Sequence, residues 1–434
     1  MASWRKNGYP GANGDLKPER KGLGTAASEP PAVQAFAVSE AGEARPPAPK
    51  PQLVGPFYLF TYAAVAVLGQ FVSVYLRDLG FGYATIGALS AIAATAGALS
   101  QSIAGAASDA VRRRTPFVLC ASALLGCLYL VYPYARSVFS FAALHAAAGL
   151  LSYTALTAAA SLVLDLAPAA ETSRSFASAR VWGSIGYVAA MVSIVIWPEL
   201  LEPPKMFYAG AAFYFAAGLA VLVARESGAF VQERRVSMRA GLFLLRQRRV
   251  VVLLSFCFLY WVALQGSFSL VALYVKYLGG GRAMMASAWI VAATIEMPFM
   301  LWLARLSDKS GRRPVLLVAA AALPLRLVAY AFAVEPWHVL PVQALHGVTF
   351  GIMVVAPMAY MNDIVPDKLR ASGQGLVNAC LAASSAIGPL LAGILGDVVG
   401  LRGAFLGLCV FAVAAAFVLL LLVPESRLRV HEDV

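Results

Sequence analysis

Residues 105–114 read GAASDAVRRR, and residues 304–313 read ARLSDKSGRR. Each closes a long apolar run with a short charged stretch, and the two are copies of one another. At an offset of 199, Ser108-Asp109 falls on Ser307-Asp308 and Arg113-Arg114 on Arg312-Arg313. The same offset carries Tyr75–Gly80 (YLRDLG) onto Tyr274–Gly279 (YVKYLG). At 198, Pro116 meets Pro314, Gly149 meets Gly347, and Asp165–Pro168 (DLAP) meets Asp363–Pro366 (DIVP). A register kept with one gap over about 90 residues marks an internal duplication.

Outward from these landmarks the chain is long and uncharged. Its 434 residues are 60% hydrophobic and 13% charged, with mean hydropathy +0.74, where a soluble domain is about 25% charged. Crossing a bilayer core of about 30 Å takes roughly 20 apolar residues, since a helix rises about 1.5 Å per residue. Twelve spans are predicted, at about 53–76, 79–108, 115–135, 137–164, 178–198, 206–224, 250–277, 283–306, 314–334, 337–362, 371–397 and 402–424. In lipid each span must satisfy its own backbone hydrogen bonds. The expected fold is therefore an all-α membrane protein, twelve transmembrane helices in two pseudo-symmetric six-helix bundles about a central path. The bundles cover 53–224 and 250–424, joined by a linker at 225–249 and followed by a tail at 425–434. Residues 1–52 hold eight prolines and mixed charges without periodicity, which predicts a disordered tail and no secretory signal peptide.

Lysine and arginine fix the sides. With both termini in the cytoplasm, 27 of the 34 lie on the inner side, six lie outside, and Arg326 falls within a span. The plasma membrane is the expected location. The net charge of +12 is thereby a membrane-topology signal, and nucleic acid is not an expected partner. The five cysteines (Cys120, Cys127, Cys257, Cys380, Cys409) lie inside spans without metal or disulfide spacing, so packing is their expected role. No metal and no cofactor is expected.

Residues 292–300 read AATIEMPFM, which places Glu296 in the middle of a span. Arg326 and His346 lie at similar depth. Glu296 is about 18 Å of helix from Asp308, Arg326 about the same from Pro314, and His346 about 25 Å from Asp363. The repeat pairs Glu296 with Gly97, Arg326 with Leu128 and His346 with Ala148. One half thus builds the same helices without these groups, which points to chemistry. A charge at such depth costs at least about 2.5 kcal/mol, so it faces a cavity or a partner. Glu296 could exchange a proton there, with Arg326 as its fixed counter-ion and His346 as a relay or substrate group. The alternative is a permanent Glu–Arg bridge that fixes helix packing. Pro298 is expected to bend its helix.

Several of these features resemble the major facilitator superfamily. GAASDAVRRR and ARLSDKSGRR are similar to its signature loop after the second and eighth helices, Gly-x-x-x-Asp-x-x-Gly-Arg-Arg/Lys. The first copy has Arg112 where the later glycine stands, and the second has Ala304 at the first position. The likeness spans about 53–424. It implies that Asp109 and Asp308 latch one half to the other at the inner side, accepting hydrogen bonds from a helix N-terminus. Arg113, Arg312, Asp165, Asp363 and Arg180 join them as inner-gate candidates, with Asp165 and Asp363 open between gate and structural ion pairs. An acid before a proline in the eighth helix, an arginine in the ninth, LHGVTFG (345–351) in the tenth and RVWGSIGY (180–187) in the fifth narrow the resemblance. They resemble the cluster of phenylpropionate-permease-like, nucleoside–proton symporter and lactose-permease-like proteins. That cluster implies proton-coupled import of a small organic solute. Where the superfamily often carries arginine four residues before a glycine, this chain has His145 before Gly149, either a second titratable group or a core histidine.

Gln70, Tyr260, Trp261, Gln265, Gln374 and Asn378 fall in the first, seventh and eleventh helices, which line the path in that fold; each either meets solute or packs. No GxxxxGK[ST] phosphate loop and no nucleophile–base pattern is present, so neither ATP-driven transport nor an enzyme is expected. Two other readings remain: an exporter or uncoupled facilitator, and a non-transporting receptor or scaffold of the same fold.

Overall fold

A computed structural model describes residues 51–111, 113–167, 172–224 and 238–426. Residues 1–50, which hold nearly all of the expected tail, and 112, 168–171, 225–237 and 427–434 lie outside the described residues, as do the side chains of Asp109 and Asp308. Every regular element described is helical. The leading helices are α1 (Gly55–Leu68), α2 (Phe71–Asp78), α3 (Tyr83–Val111), α4 (Thr115–Val131), α5 (Val138–Leu166), α6 (Thr172–Ile196) and α7 (Lys205–Val221). A short α8 (Met238–Leu244) occupies part of the expected linker. The trailing helices are α9 (Arg248–Tyr277), α10 (Arg282–Ser310), α11 (Arg312–Ala331), α12 (Val339–Ala344), α13 (His346–Thr349), α14 (Gly351–Ile364) and α15 (Arg370–Leu422).

Nine segments among the described residues are long and apolar enough to cross a bilayer. Local chemistry accounts for part of the difference from twelve. The stretch 367–422 is one of the nine, yet Gly400 at φ 72° turns the chain inside it, a left-handed conformation that glycine enters without a Cβ clash. α7 has only 17 residues, and α10, which carries Glu296, is not among the nine. Two expected spans are also interrupted. The first breaks at Gly69-Gln70, between α1 and α2. The tenth divides into α12, α13 and α14.

α1 packs on α6 and α7, α3 on α5, and α4 on α7. Among the trailing helices, α9 and α11 pack on α15, and α10 lies along α12 to α14. Leading and trailing helices meet where α3 touches α15, α6 touches α10 and α2 touches α9. At the first junction the backbones themselves touch. A Cβ on Gly87 would stand 2.3 Å from the Pro389 carbonyl oxygen, and one on Gly393 2.2 Å from that of Tyr83. Such close approach maximises van der Waals contact, which replaces the hydrophobic drive that lipid does not supply. Large apolar side chains such as Leu99, Phe139, Val410 and Leu421 are exposed, a surface suited to acyl chains.

Candidate functional site

Glu296, Arg326 and His346 converge from three trailing elements. Pro298 has no N–H to give the Thr294 carbonyl, so the α10 backbone loses one bond beside Glu296. Opposite it, the helix carrying His346 is discontinuous. The Leu345 N–H bonds to Val342 in a tightened turn, and the Thr349 hydroxyl folds back on the Leu345 carbonyl at 2.9 Å. Gly347 lets this turn lie against α10, where a Cβ would meet the Ile295 carbonyl oxygen at 3.1 Å. His346 Nε2 thereby comes 3.4 Å from Glu296 Oε2. The imidazole is buried, whereas the carboxylate side chain keeps 27% exposure.

Arg326 is fully buried. It donates to Thr349 Oγ1 at 2.7 Å, Gln343 Oε1 at 2.6 Å, the Tyr330 hydroxyl at 3.2 Å and His346 Nδ1 at 3.3 Å. A guanidinium has only donors, so Nδ1 must be the acceptor. A neutral imidazole then carries its proton on Nε2, aimed at Glu296. The direct Glu–Arg pairing considered from sequence is replaced by a chain of contacts in which His346 stands between acid and guanidinium. Phe268 and Phe350 flank the imidazole, with ring centroids 5.1 and 5.0 Å away, and Trp289 meets it edge-on at 6.2 Å. Arg326 Nε, Gln343 Nε2 and Trp289 Nε1 are buried donors without a partner.

The leading helices fill the equivalent place differently. A Cβ on Gly97 would lie 2.3 Å from the Tyr153 ring. At offset 198 Tyr153 corresponds to Gly351, so an aromatic ring occupies one copy and a carboxylate the other. The helix that carries Glu296, α10, also packs on α6 of the leading helices. On α6, the Arg180 guanidinium lies 4.0 Å over the Tyr62 ring of α1.

The other candidates separate. His145 lies apart from the cluster; its Nδ1 bonds the Phe141 carbonyl at 2.9 Å and lies 3.4 Å from the Tyr132 hydroxyl. Tyr260 is a strut, donating to the Ala319 and Thr349 carbonyls at 3.2 and 2.9 Å, and buried Trp261 packs edge-on to Phe350. Gln265 bonds Ser385 at 2.7 Å across α9 and α15, Gln374 bonds Asn362 at 3.1 Å, and Asn378 is exposed. Gln70 lies in the α1–α2 break, half-buried.

At the arginine-rich ends each copy holds an equivalent ion pair among the described residues. Arg114 Nε lies 3.2 Å from Asp165 Oδ2, and Arg312 Nε 3.2 Å from Asp363 Oδ2. Each arginine also donates to a serine, Ser108 and Ser307 respectively. Arg114 therefore takes the place of Arg312, which moves the one-residue gap into the loop and corrects the alignment of Arg113 with Arg312. Arg113 is exposed; the arginine that pairs is Arg114, one residue from the choice made on sequence. In these pairs Asp165 and Asp363 each brace a neighbouring helix of their own copy. Glu425 covers the start of α11, accepting from the Arg312 and Arg313 N–H groups at 3.0 and 3.1 Å. This cap is not legible from sequence, because its partners lie more than a hundred residues away.

A family model described as the MFS_1 like family matches residues 54–424. The chain belongs to this family, within the major facilitator superfamily. It is a multi-pass integral membrane transporter of small-molecule solutes and not an enzyme. The transporter is 25% identical to the maltose permease of Geobacillus stearothermophilus, over 86% of this chain and 94% of the relative. It superposes on the nucleoside transporter NupG with a TM-score of 0.75 at 15% identity, covering 86% of this chain and 97% of that one. For a D-xylose-proton symporter the values are 0.66, 16%, 87% and 97%. At such identity the two structures speak for the fold.

Proposed function

We propose that this transporter is a proton–solute symporter working by alternating access, with Glu296 as the proton site. The reading rests on the Glu296–His346–Arg326 chain of contacts, in which the carboxylate is 27% exposed while the imidazole and guanidinium are buried. His346 Nδ1 is occupied by Arg326, so an arriving proton goes to the carboxylate. Protonation removes the charge that faces His346 Nε2, and the neutral acid tolerates passage of the halves across the dry state. Solute binds beside it, among Trp289, Phe268 and Phe350. The unpartnered Trp289 and Gln343 donors suit the acceptors of a hydroxylated or ring-bearing solute, in keeping with maltose, nucleoside and xylose as named for the similar proteins.

The architecture that goes with this reading has two six-helix halves, 53–224 and 250–424, with both termini in the cytoplasm and the plasma membrane as host. Taking 367–422 as two spans at Gly400, and adding α7 and α10, brings the nine segments to twelve. The experiment begins with a thermal-shift screen for solute on purified protein. Uptake of the solute found is then measured in liposomes with an imposed pH gradient. Glu296→Gln should abolish accumulation against a solute gradient while sparing exchange of preloaded solute. Undiminished uphill uptake by that variant removes Glu296 from coupling.

A further inference from the structure

A carboxylate seated on the N-terminus of a helix from the other copy was expected at the arginine-rich ends. The described residues hold one at the opposite ends. Asp397 of α15 accepts from the Tyr83 N–H through Oδ1 at 2.9 Å and from the Ala84 N–H through Oδ2 at 2.8 Å. These two amides open α3, where they have no partner in their own helix and carry the positive end of its dipole. Both bonds are charge-assisted and span more than three hundred residues of sequence. Gly82 makes room for them, since a Cβ there would stand 2.9 Å from Asp397 Oδ2.

The repeat places another leading–trailing contact at the equivalent helix start, there between side chains. At offset 199, Tyr83-Ala84 corresponds to Arg282-Ala283, which opens α10. There Glu202, from the stretch between α6 and α7, lies 3.7 Å from the Arg282 guanidinium. Lys276 of α9 pairs with Asp78 of α2 nearby. All three contacts join a leading to a trailing element at one end of the molecule, and Arg282 of the second and Asp78 of the third line a cavity with Val74, Tyr75, Leu201 and Met285. The Glu202 and Lys276 pairs are between half-exposed side chains and contribute little individually. Asp397, with two fixed backbone donors and backbones in contact at Gly87 and Gly393, is the strongest of them.

We propose that Asp397 is a positioning residue of the transport cycle: it closes the end of the path opposite the arginine-rich loops by capping α3. Neutralising it should shift the molecules toward the state open at that end. Met285, buried in α10 and lining the cavity beside Arg282 at the same end of the molecule, supplies the reporter of opening there. In a background with the five native cysteines replaced, Met285→Cys is labelled by a water-soluble maleimide in nanodiscs, where no solute, gradient or membrane orientation enters. Asp397→Asn should raise the labelling rate about three- to tenfold, the range one charge-assisted cap can supply, and Asp397→Glu should return it toward the parent. Asp397→Ser, which keeps a neutral acceptor, should also raise it and serves if the asparagine variant does not fold. Parent-like labelling in a folded neutral variant overturns the proposal. Because the readout needs no proton coupling, it stands or falls apart from the role given to Glu296.

Discussion

Arg326 shows how the site is held at the scale of single residues. Its fork meets Thr349, Gln343, Tyr330 and His346, all neutral groups, at 2.6 to 3.3 Å. The guanidinium shape is needed for four such partners; an ammonium has three donors and a different geometry. Arg326→Lys should therefore keep a charge but lose the bond that fixes the His346 tautomer. The expected outcome is a folded protein with uphill uptake reduced about tenfold or more, because one such bond is worth about 1.5 kcal/mol. Uptake at parent rates would show that the imidazole needs no such orientation. The residue types and depths of this trio were legible in the sequence, since a charge in an apolar run stands out. That His346 lies between the other two was not, because the order of three side chains in space depends on helix rotation.

At the scale of elements, two irregular helices place the site. The turn at 345–350 and the proline in α10 face each other, and Gly347 permits the contact. Gly347→Ala would add a Cβ 3.1 Å from the Ile295 carbonyl oxygen and from the Phe299 Cβ. The helices must part by a few tenths of an ångström, lengthening the 3.4 Å His346–Glu296 contact. Accumulation should fall while exchange of preloaded solute survives, as assayed in the liposomes used for Glu296→Gln. At the α3–α15 junction there is no room for adjustment, since the atom met at 2.2 Å is backbone. Gly393→Val should lower the melting temperature measurably, whereas Gly400→Ala should act through strain at φ 72° alone. Helix interruptions were partly visible as Gly and Pro in apolar runs. Which of them break the chain was decided by packing: α15 runs through Pro389, and α10 runs through Pro298.

For the whole molecule, the arginine asymmetry carries a prediction about sides. A reporter that fluoresces only in the cytoplasm, fused after Val434, should be bright, and a periplasm- or lumen-dependent enzyme in the same place should be inactive. The reverse pattern would invert every statement about inner and outer ends. The duplication also explains why pairs recur: Arg114–Asp165 and Arg312–Asp363 have the same 3.2 Å geometry on two copies of one turn. What differs between the copies is that Gly97 lies beneath Tyr153 in one, while the equivalent positions in the other are Glu296 and Gly351.

By itself, the sequence determined the helical class, the membrane, the duplication and the three deep polar groups. Those follow from composition, period and charge, which are properties of a string. The chain of contacts through His346, the pairing of Arg114, the cap by Glu425 and the bond from Asp397 to α3 were decided by tertiary structure. Each joins groups far apart along the chain through hydrogen bonds a few ångströms long, and only the packed helices bring their ends together.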